Sequence, residues 1–293
     1  MKYGVIDVGS NSVRLMLAEN GKTLYKSAVI TALSAGMGED AVLQNEAVLR
    51  SAQAVSFFAK KASEYGAKKT LVYATQAVRR ATNKQVFIDL VKELCGLEVD
   101  VVSGEKEAFL GAVGALGGQD GGVIDVGGAS TEIIVVKEGN VLYSHSLDVG
   151  AVTLYDRVGE DKQKAIQYLS KKLTEYGDLS KFSKANFYSI GGTATTICAM
   201  VYAVCPYDPT IIHNSKISKQ TLLDWRDKLF CMTADERENI KGIQKGRGRI
   251  IACGAAILFA IMENIGIESF TVSESDNLEG YLCLYRENNE QKK

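Results

Sequence analysis

Two short stretches join an aspartate to a glycine-rich turn: Asp7-Val8-Gly9-Ser10 and Asp125-Val126-Gly127-Gly128. Glycine lets a backbone come close to a ligand, and successive N–H groups in a tight turn form a nest for an anion. A carboxylate beside a phosphate nest makes sense when a divalent cation bridges them, because the bare like charges repel. Mg²⁺ suits that role, since it takes one or two carboxylates and keeps several waters. A third turn, Gly191-Gly192-Thr193, follows a β-rich run and opens a helical one, so its N–H groups and the helix dipole could hold an anion. Helix starts without a ligand read the same way. Arg79 and Arg80 follow another β-rich run, and a guanidinium grips phosphate oxygens in a bidentate manner; two adjacent arginines equally fit a solvated surface. Glu107 lies in the first turns of a helix capped by Ser103. There it could activate water as a general base or simply complement the helix dipole.

Other chemistries lack residues. The chain has only two histidines, His145 and His213, and no G-x-S-x-G or G-x-x-x-x-G-K-[ST] sequence, which removes the usual serine, cysteine and P-loop schemes. His145 reads as strand packing; His213, in a loop, fits a ligand contact or a structural role. The six cysteines form no C-x-x-C pair, so they are expected to be small buried thiols in a reducing compartment.

The elements that must position these groups come in two copies. Residues 7–28 align without a gap onto residues 125–146, with Asp7/Asp125, Val8/Val126, Gly9/Gly127, Ser12/Ser130, Gly21/Gly139, Leu24/Leu142 and Tyr25/Tyr143 identical. Each copy reads as a strand ending in Asp, a Gly-rich turn, a second strand, a Gly-containing hairpin turn and a third strand. The repeat predicts two similar lobes facing each other across a cleft. After the first copy come a loop at Ser34–Asp40, a helix over 46–65, a strand at Lys69–Ala74, and a loop carrying Arg79 and Arg80. A helix over 84–95 starting at Asn83, a strand at Leu97–Val102 and the Ser103-capped helix to Leu116 complete the lobe. Gly117–Gly122 is the expected boundary. Beyond the second copy the spacing predicts a helix near 160–177, a strand at Asn186–Ile190 and the Gly191 helix. A helix boxed by Thr233 and Glu236, an apolar helix ending at Asn264–Gly266 and a last strand at Ser269–Ser273 follow. Alternating strands and helices indicate α/β lobes with glycine turns at strand ends, where such folds place ligands. The expected domains are residues 1–119 and 120–280, with 281–293 packing back on the first.

At 293 residues, 46% hydrophobic and 24% charged, the chain has the composition of a globular protein with two domains. A net charge of −1 gives no basis for DNA or RNA binding, so a polyanion must be held by a local cluster of Lys and Arg. The N-terminus MKYGVIDVG enters a strand at once, without signal-peptide character. The longest apolar run, Ile250–Met262, is too short to span a bilayer. These features predict a cytoplasmic protein with no membrane partner.

The motifs together resemble the exopolyphosphatase/guanosine pentaphosphate phosphohydrolase (Ppx/GppA) family of the actin-like phosphotransferase superfamily. The resemblance rests on GVIDVGSNSVRLML at the start, YATQAVRRATN at 73–83, SGEKEAFLG at 103–111 and VIDVGGASTEI at 123–133. It continues through SIGGTATT at 189–196, YDPTIIH at 207–213 and CGAAIL at 253–258. It implies an α/β fold of two actin-like (ribonuclease H-like) lobes with an interlobe cleft, in the short two-domain form. It implies Glu107 as general base and Arg79 on phosphate. Asp125 and Glu132 become Mg²⁺ ligands with Asp7 facing them. Gly9, Ser10, Asn11, Gly127, Gly128, Ser130, Gly191, Gly192 and Thr193 become phosphate-binding. The implied substrates are polyphosphate or guanosine penta- and tetraphosphate, with Mg²⁺, K⁺ as an optional activator, and room for a homodimer.

The chain departs from the family pattern at several positions. Lys106-Glu107 replaces a paired Glu-Glu, which removes the capping box from Ser103 and sets a positive charge next to the base. Ala129 replaces a third turn glycine, and Asn214 stands where a glycine often follows the histidine. Arg247-Gly248-Arg249 replaces an Arg-Ala-Asp-like motif, and residues 274–280 (ESDNLEG) replace a DRGLREG-like tail. Lys245-Gly246-Arg247-Gly248-Arg249 reads either as a basic track for a long polyphosphate chain or as a solvated helix start. Three readings stay open at this point: terminal-phosphate hydrolysis of polyphosphate or pppGpp, an ATP-dependent kinase or ATPase built on the same hairpins, and a non-catalytic polyphosphate or (p)ppGpp sensor.

Overall fold

The structure, a computed structural model, describes residues 1–38 and 40–290. Glu39 of the expected Ser34–Asp40 loop and residues 291–293 of the expected C-terminal segment lie outside the described residues. The chain divides into two compact units, Met1–Leu110 joined by the chain from Asn277 onward, and Gly111–Asp276.

In the first unit β1 (Lys2–Val8), β2 (Ser12–Glu19) and β3 (Lys22–Ile30) form an antiparallel meander. Helix α1 (Asn45–Glu64) leads to β4 (Lys69–Ala74), and α2 (Gln76–Arg80) and α3 (Lys84–Cys95) lead to β5 (Val99–Val101), after which α4 (Gly104–Leu116) begins. The sheet order is β3-β2-β1-β4-β5, with β4 parallel to β1 and β5 parallel to β4. Side chains of a strand alternate between faces, and β1 is apolar on both. Ile6 and Val8 join Leu15 and Phe58 in one core, while Tyr3 and Val5 join Met16 and Tyr73 in another.

The second unit repeats this plan with β6 (Gly121–Val126), β7 (Thr131–Lys137) and β8 (Asn140–Leu147). Then come α5 (Ala151–Val158), α6 (Lys162–Lys172), β9 (Phe187–Ile190), α7 (Gly191–Val201) and α8 (Pro209–Ile212). β10 (Lys216–Ser218), α9 (Lys219–Phe230), α10 (Ala234–Glu238), α11 (Ile251–Ile265) and β11 (Ser269–Val272) complete it. The sheet order β10-β11-β9-β6-β7-β8 contains the first unit's order, with β10 added at the edge. Finally α12 (Asn277–Glu290) returns to the first unit, where Leu278 and Leu282 cover the Tyr3–Val5 face of β1. Both units are α/β lobes.

The likeness of the hairpins extends to their irregularities. Gly9 N–H donates to Ser12 O at 3.0 Å, and Gly127 N–H to Ser130 O at 3.0 Å. The β2–β3 register shifts at Leu17/Ala18 and the β7–β8 register at the aligned Val135/Val136.

Several sequence expectations change. The Arg79–Arg80 loop is the short helix α2, and His213 follows the short helix α8, which Asp208 caps through Thr210 N–H. Asn83 precedes α3 without capping it, because its amide is drawn to the backbone of Leu43 at 2.9 and 3.0 Å. Elements α5, β10, α9 and α12 have no counterpart in the sequence reading. Cys198 and Cys253 are buried as expected, but Cys205, Cys231 and Cys283 are exposed.

Candidate active site

In the second unit, the β6–β7 turn is shaped by the start of α5. Ala151 N–H donates to Gly127 O, and the N–H groups of Val152 and Thr153 donate to Gly128 O. In a trans peptide the carbonyl and the following N–H point in opposite directions. The N–H groups of Gly128 and Ala129 are therefore turned away from α5, as an anion nest requires. Gly150 makes this approach possible: a Cβ there would lie 2.5 Å from Ala129 N and Gly128 C. Ala129 is accommodated as a buried residue, and Ser130 is buried beside it.

Asp125 ends β6, and its cross-strand partner on β7 is Glu132. Directly opposed residues of an antiparallel pair share a face, so two carboxylates lie side by side, Glu132 buried and Asp125 half-buried. Ser146 on β8, opposite Glu132, donates its hydroxyl to Glu132 Oε1 at 2.6 Å. Neighbouring like charges of this kind are stabilised by a cation, and two carboxylates form a donor set that suits Mg²⁺ with waters and phosphate oxygens. Among the described residues no group of three or more His, Cys, Asp or Glu is gathered to hold a metal.

Gly191 opens α7 with φ +79°, and a Cβ there would stand 2.5 Å from Asp125 Oδ1. The aspartate thus lies directly against this helix start. Thr193 is buried, and its hydroxyl donates to Val126 O at 2.7 Å, which ties α7 to the end of β6. Gly192 packs under the guanidinium of Arg247, whose Nη2 would lie 2.3 Å from an added Cβ.

Arg247 is a residue that sequence reading misplaced. The expected basic track comes apart: Arg247 turns inward and is 8% exposed, and Arg249 pairs with Asp156 at 3.0 Å and covers the Tyr155 ring. Glu238 organises the loop by accepting the N–H groups of Gly246 and Gly248. Arg237, fully buried, donates to Leu229 O, Met232 O, Gly248 O and Glu160. The glycines on both sides of Arg247 were the available signal, since they let the backbone fold tightly around one inward arginine.

In the first unit the aligned turn is held in the same sense by the segment after β3. Asn11 O accepts from Thr31 and Ala32 N–H, and Ser10 O accepts from Ser34 N–H. Asn11 Nδ2 is buried without a hydrogen-bond partner among the described residues, a donor that a ligand oxygen would satisfy. Asp7, 4% exposed, accepts both Nε and Nη2 of Arg14 on its Oδ2, at 2.8 and 2.6 Å.

Glu107 on α4 is 7% exposed and accepts from Arg79 Nη1 at 2.9 Å. The same guanidinium donates to Val102 O at 2.8 Å and to Gln76 Oε1. The structure therefore brings together the expected base and the expected phosphate-binding arginine, while Arg80 is exposed. Ser103 caps α4 by accepting Lys106 N–H at 3.1 Å. The Lys106 ammonium pairs with Asp100 at 2.8 Å, which gives its charge a partner other than the base. His213 has a structural bond, its Nδ1 accepting Glu274 N–H, and His145 packs against Tyr143 and Tyr176.

Known proteins show what the chain is similar to. The model of the Ppx/GppA phosphatase family matches residues 8–286. The chain is 30% identical to "Exopolyphosphatase 2" of Mycobacterium tuberculosis, over 95% of this chain and 97% of that one. It is 27% identical to the "Guanosine-5'-triphosphate,3'-diphosphate pyrophosphatase" of Photobacterium profundum, over 95% of this chain but 58% of the longer relative. The crystal structure of the Aquifex aeolicus Ppx/GppA family member superposes with a TM-score of 0.78 at 29% identity, covering 99% of this chain and 98% of that one. With the family model covering nearly the whole chain and a 30% identical relative covered almost end to end, this protein belongs to the Ppx/GppA phosphatase family.

Proposed function

We propose that the chain is a phosphoanhydride hydrolase that removes the terminal phosphate of inorganic polyphosphate, and that it also accepts pppGpp. The observation that carries the reading is Glu107, buried on the first turns of α4 and hydrogen-bonded to Arg79. A buried carboxylate oriented by a guanidinium is suited to receiving a proton from water, and Arg79 retains further N–H groups for a phosphate oxygen.

The reaction is an in-line displacement. The water oxygen bonds to the terminal phosphorus, its proton passes to Glu107, and the bridging P–O bond breaks. Orthophosphate and a chain shorter by one phosphate result. The N–H groups of the two hairpin turns and of the α7 start would grip phosphate oxygens through Gly9, Ser10, Asn11, Gly127, Gly128, Ser130, Gly191, Gly192 and Thr193. Most of the rate gain then comes from positioning and from fixed dipoles. Asp125 and Glu132 would hold Mg²⁺, whereas Asp7, expected as a further ligand, is engaged by Arg14; when bound, the ion neutralises phosphate charge. Free thiols and the lack, among the described residues, of a helix long and apolar enough to cross a membrane support a cytoplasmic setting.

Polyphosphate is preferred because the relative named exopolyphosphatase matches over nearly its full length. The pppGpp reading draws on the relatives named for that guanosine nucleotide. Phosphate release from long-chain polyphosphate compared with pppGpp, in Mg²⁺ with and without K⁺, decides the order.

A further inference from the structure

The second unit carries a cavity that the hydrolase reading does not use. It is a trench of about 430 Å³ along α11, walled by α6 and closed at one side by Arg226 of α9. Its floor is apolar, with Leu169, Leu173, Ala256 and Phe259 in the lining. The small side chains of Ala256 and Ala260, one helical turn apart, leave the space open.

Arg226 sets the polarity. Its side chain is 11% exposed and lies over the Phe259 ring at 4.5 Å. Nε and Nη2 both go to Asp227 Oδ1, at 2.7 and 2.6 Å. Asp227 Oδ2 also takes Lys162 Nζ at 3.0 Å. Two cations thus share one carboxylate, so Asp227 alone does not balance both. Among the described residues Nη1 of Arg226 has no protein partner. Glu263, which also lines the trench, is 56% exposed and 3.8 Å from Lys219.

We infer that this trench binds a small amphipathic carboxylate, with its apolar body on the Ala256–Ala260 face of α11 and its carboxylate on Arg226. Apolar walls with one oriented polar group are the usual composition of a small-ligand site. A guanidinium stacked on an aromatic ring is pre-organised for carboxylate oxygens. An uncharged apolar molecule would leave Arg226 Nη1 unused, and a cationic one would be repelled by the Arg226 guanidinium at this end.

Isothermal titration of the full chain with octanoate, far below its micelle concentration, tests this, with octanol and octylammonium in parallel. Saturable binding to one site is expected for octanoate, tightening about three- to fourfold with each added methylene. Arg226→Gln should weaken octanoate tenfold or more and leave octanol unchanged. Ala260→Phe, which fills the trench without touching the charge, should abolish binding of the acid while the far-ultraviolet spectrum is kept. Octylammonium binding as tightly as octanoate, no saturable octanoate binding, or an Arg226→Gln variant indistinguishable from the parent would each overturn the assignment.

Discussion

Arg14 and Glu132 occupy the same cross-strand position in the two hairpins, one opposite Asp7 and the other opposite Asp125. At this position the first unit sets a guanidinium against its strand-end aspartate, and the second sets another carboxylate. One repeat thus closes an ion pair and the other places two carboxylates side by side. Removing the cation of the closed pair should be costly, since Asp7 is nearly buried. Arg14→Met is expected to lower unfolding free energy by about 3 kcal/mol, the lower end for breaking a buried pair, as read from urea denaturation. A midpoint unchanged from the parent would show that Asp7 does not depend on Arg14.

Ser146 donates its hydroxyl to Glu132, the β7 carboxylate of the pair. Its hydroxyl orients Glu132, and orienting partners of metal ligands are worth roughly 10- to 100-fold in affinity. Ser146→Ala should shift the Mg²⁺ concentration for half-maximal phosphate release upward by about tenfold, with little change in the maximal rate at saturating Mg²⁺. A fall in maximal rate with an unmoved Mg²⁺ midpoint would point to a role outside ion binding.

Gly150 lies where α5 meets the Gly128–Ala129 backbone, and backbone cannot move aside as a flexible side chain can. Gly150→Ala is expected to cost about 1–3 kcal/mol through overpacking and to raise the Michaelis constant by misaiming the turn N–H groups. Parent-like stability and kinetics would mean that the turn is not held by this contact.

The thiols should separate by reactivity. Burial pushes the Cys198 thiol up to about 11 and the Cys253 thiol up to about 12. The thiolate is the reactive form, so both should resist iodoacetamide at pH 8 in the native protein, while exposed Cys205 and Cys231 are alkylated. Peptide mass spectrometry reads the difference directly; early labelling of Cys253 would contradict the packing of α11.

The hairpins were legible in the sequence because their signals are local: alternation, a glycine turn and a repeated Asp. The same holds for α4, whose Ser103 cap is visible three residues before Lys106. Element α5 escaped because it is short and follows Gly150, which has no side chain to announce a cap. β10 is only three residues long. For the site, Glu107 and Arg79 were found as residue types, but their ion pair joins two helices and has no local signature. Arg247 looked like one member of a basic run, and only tertiary packing against Gly192 turns it inward. The position of Lys106 beside Glu107 suggested electrostatic interference, and only the fold supplies Asp100 as its partner.

The central claim is that Glu107 is the base of a phosphoanhydride hydrolase, and a paired measurement tests it most directly. Phosphate released from polyphosphate and from pppGpp in Mg²⁺ would be measured for the parent and for Glu107→Gln, with substrate binding followed in parallel. The account predicts release by the parent from at least one substrate, and a loss of about 10²–10⁴-fold in the variant with binding retained. Binding without release by the parent would contradict it and leave a sensor; release undiminished in the variant would remove Glu107 from the chemistry.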